Sequence, residues 1–198
     1  MGNILQIKML LMESEPLIWR RFRVTDDYRM DRFHQVLQIV MGWTNSHLHE
    51  FHIMDWSIGM VDDTYDDFLE MNDETKLYLR DMKLKESDSF TYIYDFGDNW
   101  QHLLSIEKVH SGELEYPECL EGKGACPPED CGGIWGYTDL LEILKDESHP
   151  EYEEYMDWLS EDFNPDFFPI KVINQELKSF GEWHRKHPRK KSTPWHQI

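Results

Sequence analysis

The chain has 198 residues, with 39 acidic against 20 basic side chains and a formal net charge of -19. That length supports one well-formed core, and the charge disfavours general binding of DNA or RNA phosphates. No apolar run approaches the roughly 20 residues that a membrane-spanning helix needs. Met1-Gly2-Asn3-Ile4 is not a basic-then-apolar secretory leader, so a cytoplasmic protein with no membrane contact is expected.

Residues 4–12 alternate, with Leu5, Ile7, Met9 and Leu11 on one face, and predict a strand. Glu13-Ser14-Glu15-Pro16 is a turn signal, and 17–24 predicts a second strand, antiparallel to the first. Phe33, Val36, Leu37, Val40 and Met41 fall on one helical stripe over 31–41, with Asp31 placed to cap its start and Gly42 its end. Residues 47–54 read as extended, followed by an acidic loop with Asp62, Asp63, Asp66, Asp67 and Glu70. Over 89–108 a hairpin is expected. Phe90, Tyr92, Tyr94 and Phe96 share one face, Gly97-Asp98 makes the turn, and Trp100, His102, Leu104 and Ile106 alternate on the return. A loop rich in Pro, Cys and Gly spans 116–136. Helices follow from a Thr138 cap to about Asp146, from Pro150, and over 172–186. The fold class is α+β: a mainly antiparallel sheet packed with several helices, the helices concentrated in the C-terminal half.

Four stretches, in this order and spacing, resemble the plasmid pRiA4b ORF-3-like family. They are Ile18-Trp19-Arg20-Arg21; Met41-Gly42-Trp43 with His47-Leu48-His49-Glu50-Phe51; Tyr94-Asp95-Phe96-Gly97-Asp98 with Trp100 and His102; and Cys126-Pro127-Pro128-Glu129-Asp130-Cys131-Gly132-Gly133 with Gly136-Tyr137. The resemblance runs from about residue 4 to about 180. It implies a single domain over residues 1–184, with 185–198 as a basic tail outside it that carries Arg185, Lys186, Arg189, Lys190 and Lys191. Some members of that family are described as passenger proteins of insertion elements and labelled TnpR. The resemblance implies an uncharacterised domain carried on plasmids, mobile elements and chromosomes, not an activity. A resolvase chemistry is not carried over, because no nucleophilic Ser in an arginine-rich setting accompanies the name.

Several residue groups carry chemistry of their own. Cys119, Cys126 and Cys131 lie within 13 positions, and an odd count argues against a disulfide framework. Clustered thiolates hold zinc, and His47 and His49, two apart, share a face if both lie on a strand; His102 would join them if the strands pair. The same residues also serve as packed thiols and hydrogen-bonding histidines. Asp95 and Asp98 flank a hairpin corner, and the adjacent Glu129 and Asp130 suit acid–base work, a divalent cation, or loop fixing. Arg21 shares a strand face with Trp19 and binds an anion or pairs with one of the many acids.

No phosphate loop, dinucleotide fingerprint or nucleophile elbow occurs. Two functions therefore remain. One is an accessory or interaction domain whose acidic body meets a basic protein partner. The other is a metal-binding domain or metal-dependent enzyme, zinc being the metal expected, built on the cysteine loop and nearby histidines.

Overall fold

A computed structural model describes residues 2–61, 71–159 and 163–187. The acidic residues Asp62, Asp63, Asp66, Asp67 and Glu70 lie outside the described residues, as do Arg189, Lys190 and Lys191.

The alternating segments form strands as expected. β1 (Asn3–Leu11) pairs antiparallel with β2 (Trp19–Thr25), Leu5 facing Val24 and Met9 facing Arg20. Helix α1 (Met30–Met41) follows and ends on Gly42 in the left-handed conformation, φ 111°. β3 (His49–Ile53), β4 (Trp56–Gly59) and the short β5 (Met71–Asp73) come next, then β6 (Ser89–Tyr94), β7 (Trp100–Ser111) and β8 (Glu118–Lys123). Helices α2 (Gly133–Ile143), α3 (Tyr152–Trp158) and α4 (Ile170–Lys186) complete the described chain. The eight strands form one sheet in the order β5-β4-β3-β6-β7-β1-β2-β8, antiparallel except for the β4–β5 pair. The architecture is α+β. Three of the four helices follow the sheet, but the central one, α1, lies in the N-terminal half. No helix among the described residues is long and apolar enough to cross a membrane.

α1 is buried along its whole length, polar residues included. Its apolar stripe meets the sheet, and its other side is covered by α4, with the Arg32 guanidinium 4.2 Å from the Trp183 ring centre. An amphipathic pattern predicts a wet polar face, so covering that face obliges its side chains to find partners. Asp31 is not the cap. Arg29 holds that position, and its guanidinium makes two bonds of 2.6 Å to the buried Asp31 carboxylate. His34 bonds Tyr92 and Asn45, and Gln38 bonds Tyr92 and the Asn45 amide.

Three further expectations shift. The 116–136 loop contains β8, an edge strand fixed from outside by Asn174 of α4, which bonds both the N–H and the C=O of Cys119 at 2.8 and 2.9 Å. α2 starts at Gly133, five residues before Thr138, whose hydroxyl donates to Ile134 O within the helix. Phe96 leaves the buried face of Phe90, Tyr92 and Tyr94 because Asp95 turns to φ 56°, ending the alternation.

Arg20 anchors this arrangement. It is fully buried, and all of its N–H donors meet backbone carbonyls: Val40 and Met41 at the end of α1, Trp19 on its own strand, and Lys123 and Gly124 at the end of β8. A cation at a helix C-terminus is also favoured by the peptide dipoles.

Candidate metal centre

Three loops converge at one end of the sheet: 42–48 before β3, the 95–99 corner between β6 and β7, and 124–132 before α2. The strand order β3-β6-β7 makes the first two neighbours. The third is clipped to them by the Gly132 N–H, which donates to Asp98 Oδ2 at 3.2 Å. Gly133 takes φ 69° and lies so close to the corner that a Cβ there would sit 2.3 Å from Asp98 O. Asn45, Asp95, Asn99 and Asp130 all hold positive φ, between 55° and 59°. Such conformations cost energy in non-glycine residues and tend to gather at functional sites.

His47 stands at the meeting point. Its Nε2 lies 3.3 Å from Asp130 Oδ1 and 3.7 Å from Glu129 Oε2, and its Nδ1 lies 3.6 Å from Asp95 Oδ2. Asp95 Oδ1 accepts the Gly97 N–H at 2.9 Å, which fixes the carboxylate with Oδ2 toward the ring. Glu129 Oε1 accepts from Thr44 N (2.7 Å), Thr44 Oγ1 (2.8 Å) and Tyr94 OH (3.1 Å). Its other oxygen, Oε2, is buried without a hydrogen-bond partner, and so is His47 Nε2. Burial, and then the Glu129 charge, push the Tyr94 hydroxyl well above its usual range, so it stays protonated as a donor. Among the described residues, His47, Asp95 and Asp130 are the group of three or more metal-ligating side chains whose donor atoms lie within 4.8 Å of one another.

The other expected ligands go elsewhere. His47 precedes β3, and His49 begins it, so the two histidines do not share a strand face. His49 is buried, its Nε2 2.6 Å from Glu74 Oε2 and its ring stacked on His34 at 3.4 Å between centroids. Burial drives both rings down to about 3 and Glu74 up to about 7, favouring neutral forms with one proton between Nε2 and Oε2. His102 lies on β7, and β6 separates it from β3. Its Nε2 accepts from the Trp43 indole at 3.4 Å and its Nδ1 meets Tyr92 O at 3.2 Å, an arrangement only the neutral Nδ1–H tautomer satisfies. Cys119 is packed on β8 beside Asn174, while Cys126 packs on Gly42 at the end of α1. Burial raises the Cys119 thiol to about 11, Cys131 to about 12, and Cys126 well above its usual value. Arg21 pairs with Glu107 at 2.7 Å and with Glu121, and lies over Trp19.

Every residue of the convergent cluster falls inside a span that known proteins share. The family described as plasmid pRiA4b ORF-3-like protein matches residues 3–172. The chain belongs to that family. The uncharacterized protein y4hQ of Sinorhizobium fredii is 36% identical over 192 residues, covering 96% of this chain and 98% of that protein. The crystal structure of the protein of unknown function MM3350 from Methanosarcina mazei Go1 superposes with a TM-score of 0.76 at 38% identity, covering 86% of this chain and 97% of that one. The family match ends just inside α4, so most of that helix lies beyond it.

Two pockets flank the cluster. One, of about 400 Å³, is lined by His34, Asn45, His47, His49, Met60 and Glu74 among others. The second, of about 220 Å³, is lined by Asp130, Cys131, Glu151, Glu154, Tyr155 and Trp158.

Proposed function

We infer that this protein binds one divalent cation through His47 Nε2 and Asp130 Oδ1, with Glu129 Oε2, 3.7 Å from the same nitrogen, drawn in as the third ligand. The observation that carries this reading is the pair of buried, unpartnered atoms, His47 Nε2 and Glu129 Oε2, which face each other at 3.7 Å. Two such atoms left without a hydrogen bond are costly unless a proton or cation joins them. Asp95 lies on the Nδ1 side of the ring, where a carboxylate orients a metal-bound imidazole. One imidazole and two carboxylates suit zinc, with Mn²⁺ and Fe²⁺ as the next best matches. Three protein ligands leave a position for water or substrate, the arrangement of a metal-dependent enzyme rather than of a purely structural site.

Elemental analysis of protein purified without chelator, followed by reconstitution with Zn²⁺ and Mn²⁺, tests this. About one equivalent per chain is expected in the native protein, falling severalfold in His47→Ala and Glu129→Gln. Protein that stays folded and metal-free after reconstitution would end this reading.

A second reading is an interaction domain. Trp135 is 77% exposed and Phe96 53% exposed, and Trp135 lines a pocket of about 310 Å³ with the 97–101 corner. Exposed aromatics beside a cleft suit protein recognition, and the net charge of -19 favours a basic partner. A pull-down in which Trp135→Ala recovers the same proteins as the native chain would count against it.

A further inference from the structure

Glu129 is gripped by only one of its two oxygens. Oε1 accepts from Thr44 N, Thr44 Oγ1 and Tyr94 OH, at 2.7, 2.8 and 3.1 Å. A carboxylate oxygen has about two lone pairs, so these donors saturate it. The two hydroxyls are themselves aimed. Tyr94 OH accepts the Ser46 N–H at 3.0 Å, which leaves its single proton for Glu129. Thr44 Oγ1 directs its proton to Glu129, so it is the acceptor in its 2.6 Å contact with Ser46 Oγ. Tyr94 is fully buried at the end of β6 and packs on Trp43, with 5.3 Å between ring centres. The next residue, Asp95, faces the His47 ring, so one strand end addresses both side chains of the cluster.

We propose that Tyr94 and Thr44 set the selectivity of the cation site by limiting Glu129 to ligation through one oxygen, Oε2. This rests on the metal reading given above. Neither residue is a ligand in that reading. Both are positioning residues that act through Glu129. The consequence is a count of donors. His47 Nε2, Asp130 Oδ1 and one Glu129 oxygen make three, the number that zinc takes beside one open position. Mn²⁺ and Ca²⁺ ask for about six or more ligands, mostly oxygens, and Ca²⁺ often takes a carboxylate by both oxygens. With both Asp130 oxygens engaged, the side chains would still supply only four donors, one of them nitrogen. The Glu129 oxygen that could raise the count is the one already saturated. The grip therefore favours a cation of low coordination number.

The test is calorimetric titration of the metal-free full chain with Zn²⁺ and with Mn²⁺, for the native protein and the double variant Tyr94→Phe/Thr44→Val. Phenylalanine and valine keep the shapes of the native side chains and remove both hydroxyl donors, leaving Oε1 only the Thr44 N–H. Zinc should bind about tenfold more weakly to the variant, as is usual when groups that hold a ligand are lost. Mn²⁺ should bind no more weakly than to the native chain, so the zinc-to-manganese affinity ratio narrows about tenfold. The carboxylate stretches in infrared difference spectra should draw together as Glu129 turns from one-oxygen to two-oxygen ligation. Urea midpoints of both metal-free proteins report folding separately, because a loss of fold weakens both cations alike and leaves the ratio where it was. A native chain that binds zinc, with the same ratio in the variant, would overturn this proposal and leave the metal reading standing. A native chain that binds neither cation would overturn both.

Discussion

Two sets of polar side chains meet the chain near the end of α1, and the fold treats them in opposite ways. Arg20 is enclosed completely, and every N–H it owns is matched to a carbonyl at 2.7 to 3.3 Å. His47 and Glu129, held by the loop that leaves the same helix, are packed just as deliberately. Glu129 Oε1 takes three donors, yet Oε2 and the facing imidazole nitrogen receive none. A satisfied buried group joins pieces of backbone, whereas a buried group left short is a place prepared for something else. The difference separates architecture from function without reference to any relative.

The largest effect should come from breaking the satisfied side. Arg20→Met removes the donors for five carbonyls drawn from β2, α1 and the end of β8, and is expected to cost about 3 to 5 kcal/mol in urea unfolding. Arg20→Lys keeps the charge but offers three donors without the planar fork, so it should recover only part of the loss. A midpoint within experimental error of native for Arg20→Met would refute the hub.

This contrast was only half legible in the sequence. β1, β2, α1 and the β6–β7 pair were readable because their apolar residues repeat at the period of a strand or helix. β8 was not, because its one buried apolar side chain is Cys119 and its place is secured by Asn174, some 50 positions on. The start of α2 was hidden because Gly132-Gly133 reads as a turn. Here Gly133 serves close packing against Asp98, and Gly132 takes φ 90° as the residue before the helix. Strand alternation put Arg21 on the Trp19 face and therefore Arg20 on the other, but nothing local says that the other face is closed by α1 and β8. His47, Asp95, Glu129 and Asp130 are legible only within local pairs, with His49, Asp98 and each other. Their meeting depends on three loops brought together by sheet order, and the shared strand face expected for His47 and His49 fails because β3 starts at His49.

The next effect is a pH dependence that sharpens the same comparison on the histidines. His102 is satisfied only as the neutral tautomer, and burial holds its pKa down at about 3 against 6.5 when unfolded. A depressed folded-state value contributes stability that is fully present above pH 6.5 and is lost as pH falls toward 3. His34 acts in the same direction. Glu74, raised to about 7, acts in the opposite one. Its contribution is present below its unfolded value of 4.5 and fades as pH rises through 7. Urea midpoints measured from pH 8 to 4 should therefore fall on the acid side, and His102→Gln should flatten that fall. Parallel profiles for the two proteins would show that His102 is not the group being titrated.

The smallest effect separates the two sets of metal ligands that the sequence offered. Cys126 packs against the end of α1, where a Cβ added at Gly42 would meet its own Cβ at 3.0 Å, and its thiol is held protonated by burial. Cys126→Ser exchanges a thiol for a hydroxyl in that contact, and should cost about 1 kcal/mol of stability through packing and desolvation. If the cation is held by His47, Glu129 and Asp130, its stoichiometry should be unchanged in Cys126→Ser and reduced in Glu129→Gln. If instead metal and fold are lost together in Cys126→Ser, a thiolate is a ligand. The 124–132 loop must then rearrange on binding, because thiols raised this far above neutrality ionise only when a cation replaces the proton.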